Sequence, residues 1–551
     1  MAQQLYFSRD TRMFVQFRNP ADNTEAAAKL GAGSVWEIPV LDGYSFSQTT
    51  NTSEITLAEM ESTAGISRRG RRMFTDSLAP AEWSFSTYIR PFQSKAGSPT
   101  PTGTVSADVA AETHAVEEVF WAAMFGADTY STAAGFTRAT NPAVSGGAVI
   151  TPASASSVIS IAESNRAAMT GFTIFFMIDT STDDPLVYRL PESVVNEVSV
   201  DFDVDGIATL NWSGMAKEIQ DISGGVITGT SAPAYDATTR DATTVLLGDV
   251  FIDTDNAAGR QFNLISTVPG SGNVSITAAI DEGTTSTKNF IRNRLTSVSI
   301  EAAIVTDKIT TIFPGSYVSI TGLTKANPAV ATAAAHGFAV GDVVYVTGTC
   351  AITTSSVDVL QDIAHTITAV ATNTFTIGAL NTLSSSGTFS ASSLVAANGK
   401  YSLVLTGGSF TLGNNISYLV PEELGAINKP LEHVTGNRAA TGNATCYLTL
   451  QDEDLTSGTS RQFFNDLVST GAMSKVVNSF KVTMHIGGAT ATGNSTDPAL
   501  KIEFPTAHIE VPTHSIEDVI SMETNFTALP TDFGTANEVS AITYYPVDDY
   551  A

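Results

Sequence analysis

One short phrase occurs twice in this chain, and it limits the possible folds more than any other feature. Gly43, Ser45, Phe46 and Asn51 match Gly407, Ser409, Phe410 and Asn415 without a gap, and Glu59 and Met60 fall on Glu423 and Leu424 in the same register. A missed internal repeat misassigns a whole architecture, so the rest of the chain is read against it. The repeat links residues 35–220 with residues 290–545. After a loop that differs by a few residues, Trp83, Phe85, Thr87 and Ile89 alternate in one half and Ala444, Cys446, Leu448 and Leu450 in the other. Period-two alternation marks a strand with one buried face. Each half then has one helix. Residues 115–125 put Val116, Val119, Phe120 and Ala123 on one side, and residues 460–469 cluster Phe463, Phe464, Leu467 and Val468. Ser460 suits an N-cap, and Gly126 and Gly471 suit helix stops. Strands close both halves, at 198–205 and 207–212 in the first and at 502–511 and 520–528 in the second. Low-complexity β segments align a little by chance, but a shared order of five elements plus an ungapped phrase points to duplication.

The repeat divides the chain. One unit covers residues 1–220, and a second is split into 290–305 and 400–551 by an insertion at 306–399. The insertion reads as small β-structure, with strands expected at 343–346, 366–370 and 374–377 and turns at His336, Gly337 and Phe338 and at Gly341 and Asp342. Residues 221–289 are rich in Gly, Thr, Asp and Ala and read as a linker or a second embellishment. Three or four units also suit 551 residues, at about 150 residues per domain. Only 15% of residues are charged, and the Ser, Thr, Ala, Gly and Val that dominate favour neutral strands, so the expected class is mainly β.

Charge and cysteine content exclude several functions. With 28 basic and 55 acidic residues the net charge is −27, so the folded protein repels nucleic acid rather than condensing on it. Cys350 and Cys446 stand far apart and are read as buried free thiols, not as a zinc knuckle or a disulfide framework. Residues 1–12 lack the apolar stretch of a secretion signal, and no apolar run spans a bilayer, so the expectation is a protein made and kept in the cytosol, or packaged from there.

Asp201, Asp203, Asp205 and Gly206 spell the first half of a calcium loop. The bidentate Glu such a loop needs at its last position is replaced by Trp212. Because the three Asp alternate with Val200, Phe202 and Val204, they read better as the wet face of a strand with a hairpin turn at Asp205 and Gly206. No serine stands in a glycine-flanked elbow, no His pair lies on one helix turn and no glycine loop cradles phosphate, and His336 and His365 receive no catalytic role. Paired carboxylates from distant strands leave no local signature, but the expectation is a protein without enzyme activity, metal or cofactor. Arg68, Arg69, Arg71 and Arg72 form the one dense basic cluster. It suits phosphate binding, pairing with a neighbouring subunit's carboxylates, or a solvated loop, with Glu54, Glu59, Glu61, Glu422 and Glu423 as the kind of partner it would meet.

The run Asn415, Ile416, Ser417, Tyr418, Leu419, Val420, Pro421, Glu422, Glu423, Leu424, Gly425, followed by Asn428, Lys429 and Pro430 and by Thr435, Gly436, Asn437 and Arg438, resembles a recurrent passage of the tail tube proteins of long-tailed bacteriophages. Residues 191–197 with Trp212, Ser213 and Gly214 resemble another. The resemblance implies two tandem tube domains, each a β-sandwich or partial barrel with one flanking helix, stacked as rings around a channel. A ring of six such domains implies a trimer with pseudo-sixfold symmetry. The insertion, with Asn327, Pro328, His336, Gly337, Phe338, Gly341 and Asp342, is similar to a small β-module embedded in many phage structural proteins. That similarity implies a place on the outer surface and a use in decoration or host adhesion. The implied partners are the chain itself, other tail proteins and DNA that passes without specific binding, with no membrane. The implied location is the virion tail, assembled in the host cytoplasm. Asp201, Asp203 and Asp205 then become candidates for the lumen face or for outward solvent, and the Arg68, Arg69, Arg71 and Arg72 loop for an inter-subunit contact. The competing readings are another virion β-protein, such as a capsid decoration or tail-fibre adhesin, and a secreted β-solenoid or carbohydrate-active enzyme.

Overall fold

The structure is a computed structural model that describes residues 6–17, 35–57, 70–93, 113–126, 129–131, 135–137, 147–152, 156–163, 169, 171–179, 185–230, 232, 234–236, 248–254, 260–267, 271–281, 290–302, 318–347, 363–378, 380–383, 395–398, 400–421, 428–449, 460–468, 480–488, 498–516, 519–530 and 537–546. The chain is mainly β. A first set of strands comprises β1 (Thr11–Phe17), β2 (Val35–Ile38), β3 (Ser45–Ser47), the hairpin β4 (Thr50–Leu57) and β5 (Gly70–Leu78), and β6 (Ala81–Tyr88). Helix α1 (Glu118–Phe125) follows, then β7 (Gly147–Pro152), β8 (Ser157–Glu163), β9 (Phe172–Ile178), the 18-residue β10 (Leu186–Asp203) and β11 (Thr209–Ala216). The second set opens with β12 (Ser297–Ala302), β13 (Lys400–Leu403), β14 (Leu405–Gly413), the hairpin β15 (Ser417–Leu419) and β16 (Glu432–Val434), and β17 (Ala439–Tyr447). It ends with α2 (Ser460–Val468), β18 (Phe480–Gly487), β19 (Ala499–Ile509), β20 (Thr513–Ser515), β21 (Ser521–Ala528) and β22 (Ala541–Tyr545).

The two sets hydrogen-bond in the same order. The first runs β2, β1, β9, β10, β11, β6, β3, antiparallel throughout. The second runs β13, β12, β18, β19, β21, β17, β14, also antiparallel. Each has its separate hairpin after the third strand of its chain order and its helix after the next one. The irregularities coincide too: the ladder shifts between Phe172 and Ile174 and likewise between Phe480 and Val482. A one-residue bulge at Asn196, between Val195 and Glu197, has its match between Ile509 and Thr513. Bulges re-aim a strand at a defined place, so two at equivalent places shape both sheets alike.

With Phe46 opposite Trp83 and Phe410 opposite Gly442, Trp83 lies level with Gly442 and not with Ala444. The sequence expectation is corrected by two residues, which leaves the buried face unchanged because side chains alternate with period two. Here the two cores exchange a large and a small residue. Trp83 faces Gly214, where any Cβ would overlap the indole and the Val194 carbonyl, and Gly442 faces Phe526, where a Cβ would overlap that ring. In the first core Trp83 stacks on Phe85 at 5.2 Å, and Phe120 lies 5.0 Å from Phe85 and 5.3 Å from Trp212.

The first helix begins at Glu118, not at residue 115, because Thr113–Ala115 is an extended strand. All eight residues of α1 are buried, so it is an apolar helix covered on every side rather than an amphipathic one. Its C-terminus is closed as expected by Gly126, with φ +87°. Ser460 is the first residue of α2, and its hydroxyl donates to the Tyr447 carbonyl (2.9 Å) and accepts from the Thr449 N–H (2.8 Å), tying the helix to β17. Gly471 lies outside the described residues.

β22 straps the two sets together, pairing with β19 of the second and β8 near α1 of the first. It delivers Tyr544 to the helix, where the Trp121 indole N–H donates to the Tyr544 hydroxyl (2.7 Å) and that hydroxyl donates to Glu117 (2.7 Å). Burial pushes the Glu117 carboxyl up to about 7, against the opposing pull of the Tyr544 hydrogen bond and the Arg90 charge. His114 meets Glu118 at 3.0 Å in the same buried cluster.

The described residues within 221–289 include packed strands. Strands Ile227–Gly229, Val250–Asp253, Gln261–Thr267 and Ser275–Ala278 form one sheet, and Val250, Ile252, Phe262 and Leu264 pack on Phe14, Val35, Phe175 and Met177. The insertion has its own core, including Ala331, Val344, Val346, Ile367, Phe375 and Ile377. Its expected strands are present as Val343–Thr347, Ile363–Ala371 and Thr374–Ile377. His336 pins a turn there, accepting the Phe338 N–H at 3.0 Å and bonding the Ala371 carbonyl at 2.8 Å. Cys446 is a buried free thiol, pushed up to about 12 by burial, and Cys350 lies outside the described residues.

Two outcomes are expected. Gly214→Ala lowers unfolding stability by about 1–3 kcal/mol through overpacking against Trp83, read from denaturant midpoints. Glu117, with a carboxyl raised from 4.5 to about 7, is protonated in both states at low pH, whereas between those values the unfolded chain ionises and the folded chain does not. Its contribution is therefore complete below 4.5 and lost as pH rises through about 7, so Glu117→Gln flattens the fall in melting temperature across that window.

Candidate functional site

β10 pairs with two neighbours at once in its second half. On one side lies β11, and on the other β14 of the second set, in a ladder from Glu197 opposite Gly413 to Asp203 opposite Gly407. This seam joins the two sets into one antiparallel sheet of eight strands, in the order β3, β6, β11, β10, β14, β17, β21, β20. The strands alternate strictly, as in the buried and open positions of β6, β11 and β21. Trp83, Phe85, Val198, Val200, Leu210, Phe410, Leu412, Ala444, Met522 and Phe526 face the core.

The opposite face is the candidate site. Row by row across the strands it carries Ser86, Asn211, Ser199, Thr411, Thr441 and Thr527, then Tyr88, Thr209, Asp201, Ser409, Asn443 and Asn525, then Asp203, Gly407, Thr445, Glu523 and Thr513. Glu82 and Glu197 add two more carboxylates. Neither Lys nor Arg occupies these rows. Short polar bonds hold the hydroxyls and amides in place: Ser45 and Ser84 at 2.8 Å, Ser86 donating to Asn211 at 2.7 Å, and the Ser409 N–H donating to the Asn443 side chain at 2.7 Å. The result is a hydroxyl-rich surface of negative charge, with a pocket at one end lined by Asp203, Asn293, Arg294, Thr406 and Gly407. Such a face can repel polyanions and offers them few specific contacts.

The sequence-predicted residues fall in three places. Asp201 and Asp203 are exposed on this face. Asp205 lies past the end of β10, in the turn, and pairs with Arg294 at 2.9 Å. Arg71 and Arg72 lie on β5, Arg71 already bound to Glu54 of the same hairpin and Arg72 5.4 Å over the Phe74 ring. Arg68, Arg69, Glu59, Glu61, Glu422 and Glu423 lie outside the described residues. Glu82, Glu197 and Glu523 were not singled out by sequence, although each occupies a polar position of an alternating strand. Among the described residues no group of three His, Cys, Asp or Glu is placed to hold a metal ion, and no helix is long and apolar enough to cross a membrane.

No protein-family model matches the chain. It is similar to the tail tube protein pb6 of Escherichia phage T5, with 33% identity over 141 residues. The similar stretch covers 26% of this chain and 28% of that relative, so the chain matches little more than a quarter of the relative's length.

Proposed function

We propose that this chain is a structural subunit of a phage tail tube, not an enzyme, and that it polymerises as stacked rings around a bore through which DNA passes at ejection. The observation that carries this reading is the eight-stranded sheet whose open face is polar, acidic and free of Lys and Arg. The similarity to a phage tail tube protein supports it. Residues 1–220 form one tube domain and residues 290–305 with 400–551 the other, residues 221–289 buttress the first domain, and residues 306–399 sit on the outer surface. Three chains make a pseudo-sixfold ring that assembles in the host cytoplasm, joins other tail proteins and becomes part of the virion tail.

The dimensions and charge agree with such a bore. Three chains of eight strands, spaced about 4.8 Å apart and tilted as in closed barrels, give a backbone diameter of about 45 Å. Phosphates entering it come within reach of a wall whose field persists over about 8 Å at physiological salt. Asp201, Asp203, Glu82, Glu197 and Glu523 repel them, and the intervening hydroxyls give no cationic foothold.

Negative-stain microscopy of the purified full chain is expected to reveal hollow tubes or rings of threefold outline; a chain that stays monomeric at every concentration tested sinks the reading. Charge reversal tests the wall separately. Tubes carrying Asp201→Lys and Asp203→Lys are expected to retain DNA in a mobility-shift assay at low salt and release it at high salt, as counterion release demands, whereas unmodified tubes retain none.

A further inference from the structure

The seam inside one chain is a template for a contact between chains. β10 and β14 present their outer edges to each other, with Ser199 opposite Thr411, Val200 opposite Phe410 and Asp201 opposite Ser409. In the second set, β20 holds the place of residues 199–201, since Thr513, His514 and Ser515 pair with β21 as Ser199, Val200 and Asp201 pair with β11. In the first set, β3 holds the place of residues 409–411, since Ser45, Phe46 and Ser47 pair with β6 as Ser409, Phe410 and Thr411 pair with β17. Among the described residues β20 is paired only on its β21 side and β3 only on its β6 side. They are the two ends of the eight-stranded sheet, and an uncovered edge invites another strand.

A core-type side chain is exposed at one of these ends. At the seam, Phe202 is 4% exposed and packs over Gly408, where a Cβ would lie 2.7 Å from the ring. Ile516 stands at the position equivalent to Phe202, one residue beyond β20, and is 82% exposed. Pro512 stands where Val198 does and has no N–H to give, so a ladder on this edge starts after it.

We propose that β20 of one chain pairs antiparallel with β3 of a second copy, with Thr513 opposite Ser47, His514 opposite Phe46 and Ser515 opposite Ser45, which brings Ile516 level with Tyr44. This inference rests on the tube reading and specifies its lateral contact. The two patches differ, so the contact is heterologous and closes into a ring by repetition.

The seam also identifies the pairs to test. The Asn414 N–H donates to the Asn196 carbonyl at 2.7 Å, so the alternate pairs Ser199 with Thr411 and Asp201 with Ser409 are the non-hydrogen-bonded ones. Such pairs bring Cα atoms to about 4.5 Å, within the range a disulfide spans. In the full chain carrying Cys350→Ser, Thr513→Cys with Ser47→Cys is expected to form two- and three-chain species on oxidation, seen in non-reducing gels. Its yield should exceed at least tenfold that of the out-of-register pair Thr513→Cys with Ser45→Cys. Ser199→Cys with Thr411→Cys reports the template, because it closes within one chain and migrates as a monomer. Thermal melts of the reduced variants establish that each is folded before oxidation. If tubes form and the in-register pair fails to cross-link, or links no better than the out-of-register pair, this register is overturned while the tube stands. If the unmodified chain forms neither rings nor tubes, the tube reading falls and this contact with it.

Discussion

A seven-pair ladder between β10 and β14 is the contact on which the rest of the architecture depends. Each set of strands alone is an open sheet, and an open sheet exposes a row of unpaired N–H and C=O groups on either edge. The seam satisfies one edge of each set from within the chain and buries Phe202 over Gly408 at the junction. It also accounts for the length of β10. Typical strands run about 5–6 residues, but β10 needs 18 because its first half pairs with β9 and its second half serves both β11 and β14. The bulge at Asn196 lies where these duties change, and the Asn196 side chain accepts the Ile416 N–H at 2.8 Å just beyond the seam.

A second tie reinforces the first. One hydrophobic cluster runs through both sets of strands, and β22 crosses it from β19 to β8. Burying Glu117, Glu118 and His114 beneath this strap is costly unless each group finds a partner. The hydroxyl of Tyr544 provides one for Glu117 while taking the Trp121 N–H, so a residue from the end of the chain completes the helix cluster of the first set. Nearby, Arg438 lies 5.1 Å over the Phe125 ring and 3.8 Å from Glu538, drawing the second set onto the same helix. Two sheets fastened by a backbone ladder on one flank and by a buried polar cluster on the other have little freedom to hinge.

Much of this arrangement was legible in the sequence, and the failures have physical causes. The repeated phrase at Gly43 and Gly407 marked two strands that occupy the same position in both sets, and the alternation around Trp83 gave the correct buried face. The register was off by two, because a period-two pattern looks the same after a shift of two residues. Residues 115–117 looked helical because they continue an apolar run, and the pairing of Thr113–Ala115 with Pro91–Gln93 overrides that propensity. Asp201 and Asp203 were readable as the wet side of a strand. That they share a face with Thr441, Asn443 and Glu523 was not readable, since Asp201 meets Ser409 across a separation no local pattern spans. The arginines were legible in part: spacing revealed a basic cluster with Glu54 among the carboxylates it would meet, but not that Arg71 and Glu54 face each other across one hairpin.

The two faces of the eight-stranded sheet follow different rules, and the difference bears on function. On the core side the sets diverge freely as long as volume is conserved, so Trp83 over Gly214 becomes Phe526 over Gly442. Interiors tolerate such exchanges when total packing is kept. On the open side the chemistry stays the same across both sets: Ser, Thr and Asn predominate, carboxylates are dispersed, and Lys and Arg are missing. Nothing about folding demands this, because exposed strand positions accept Lys and Arg readily, and an edge even benefits from them. A densely acidic face would repel itself across strands only about 4.8 Å apart. Carboxylates separated by hydroxyls avoid that penalty while their fields still overlap within a Debye length of about 8 Å. A surface composed this way repels phosphate and offers it few specific contacts, the property that the proposed passage of DNA requires.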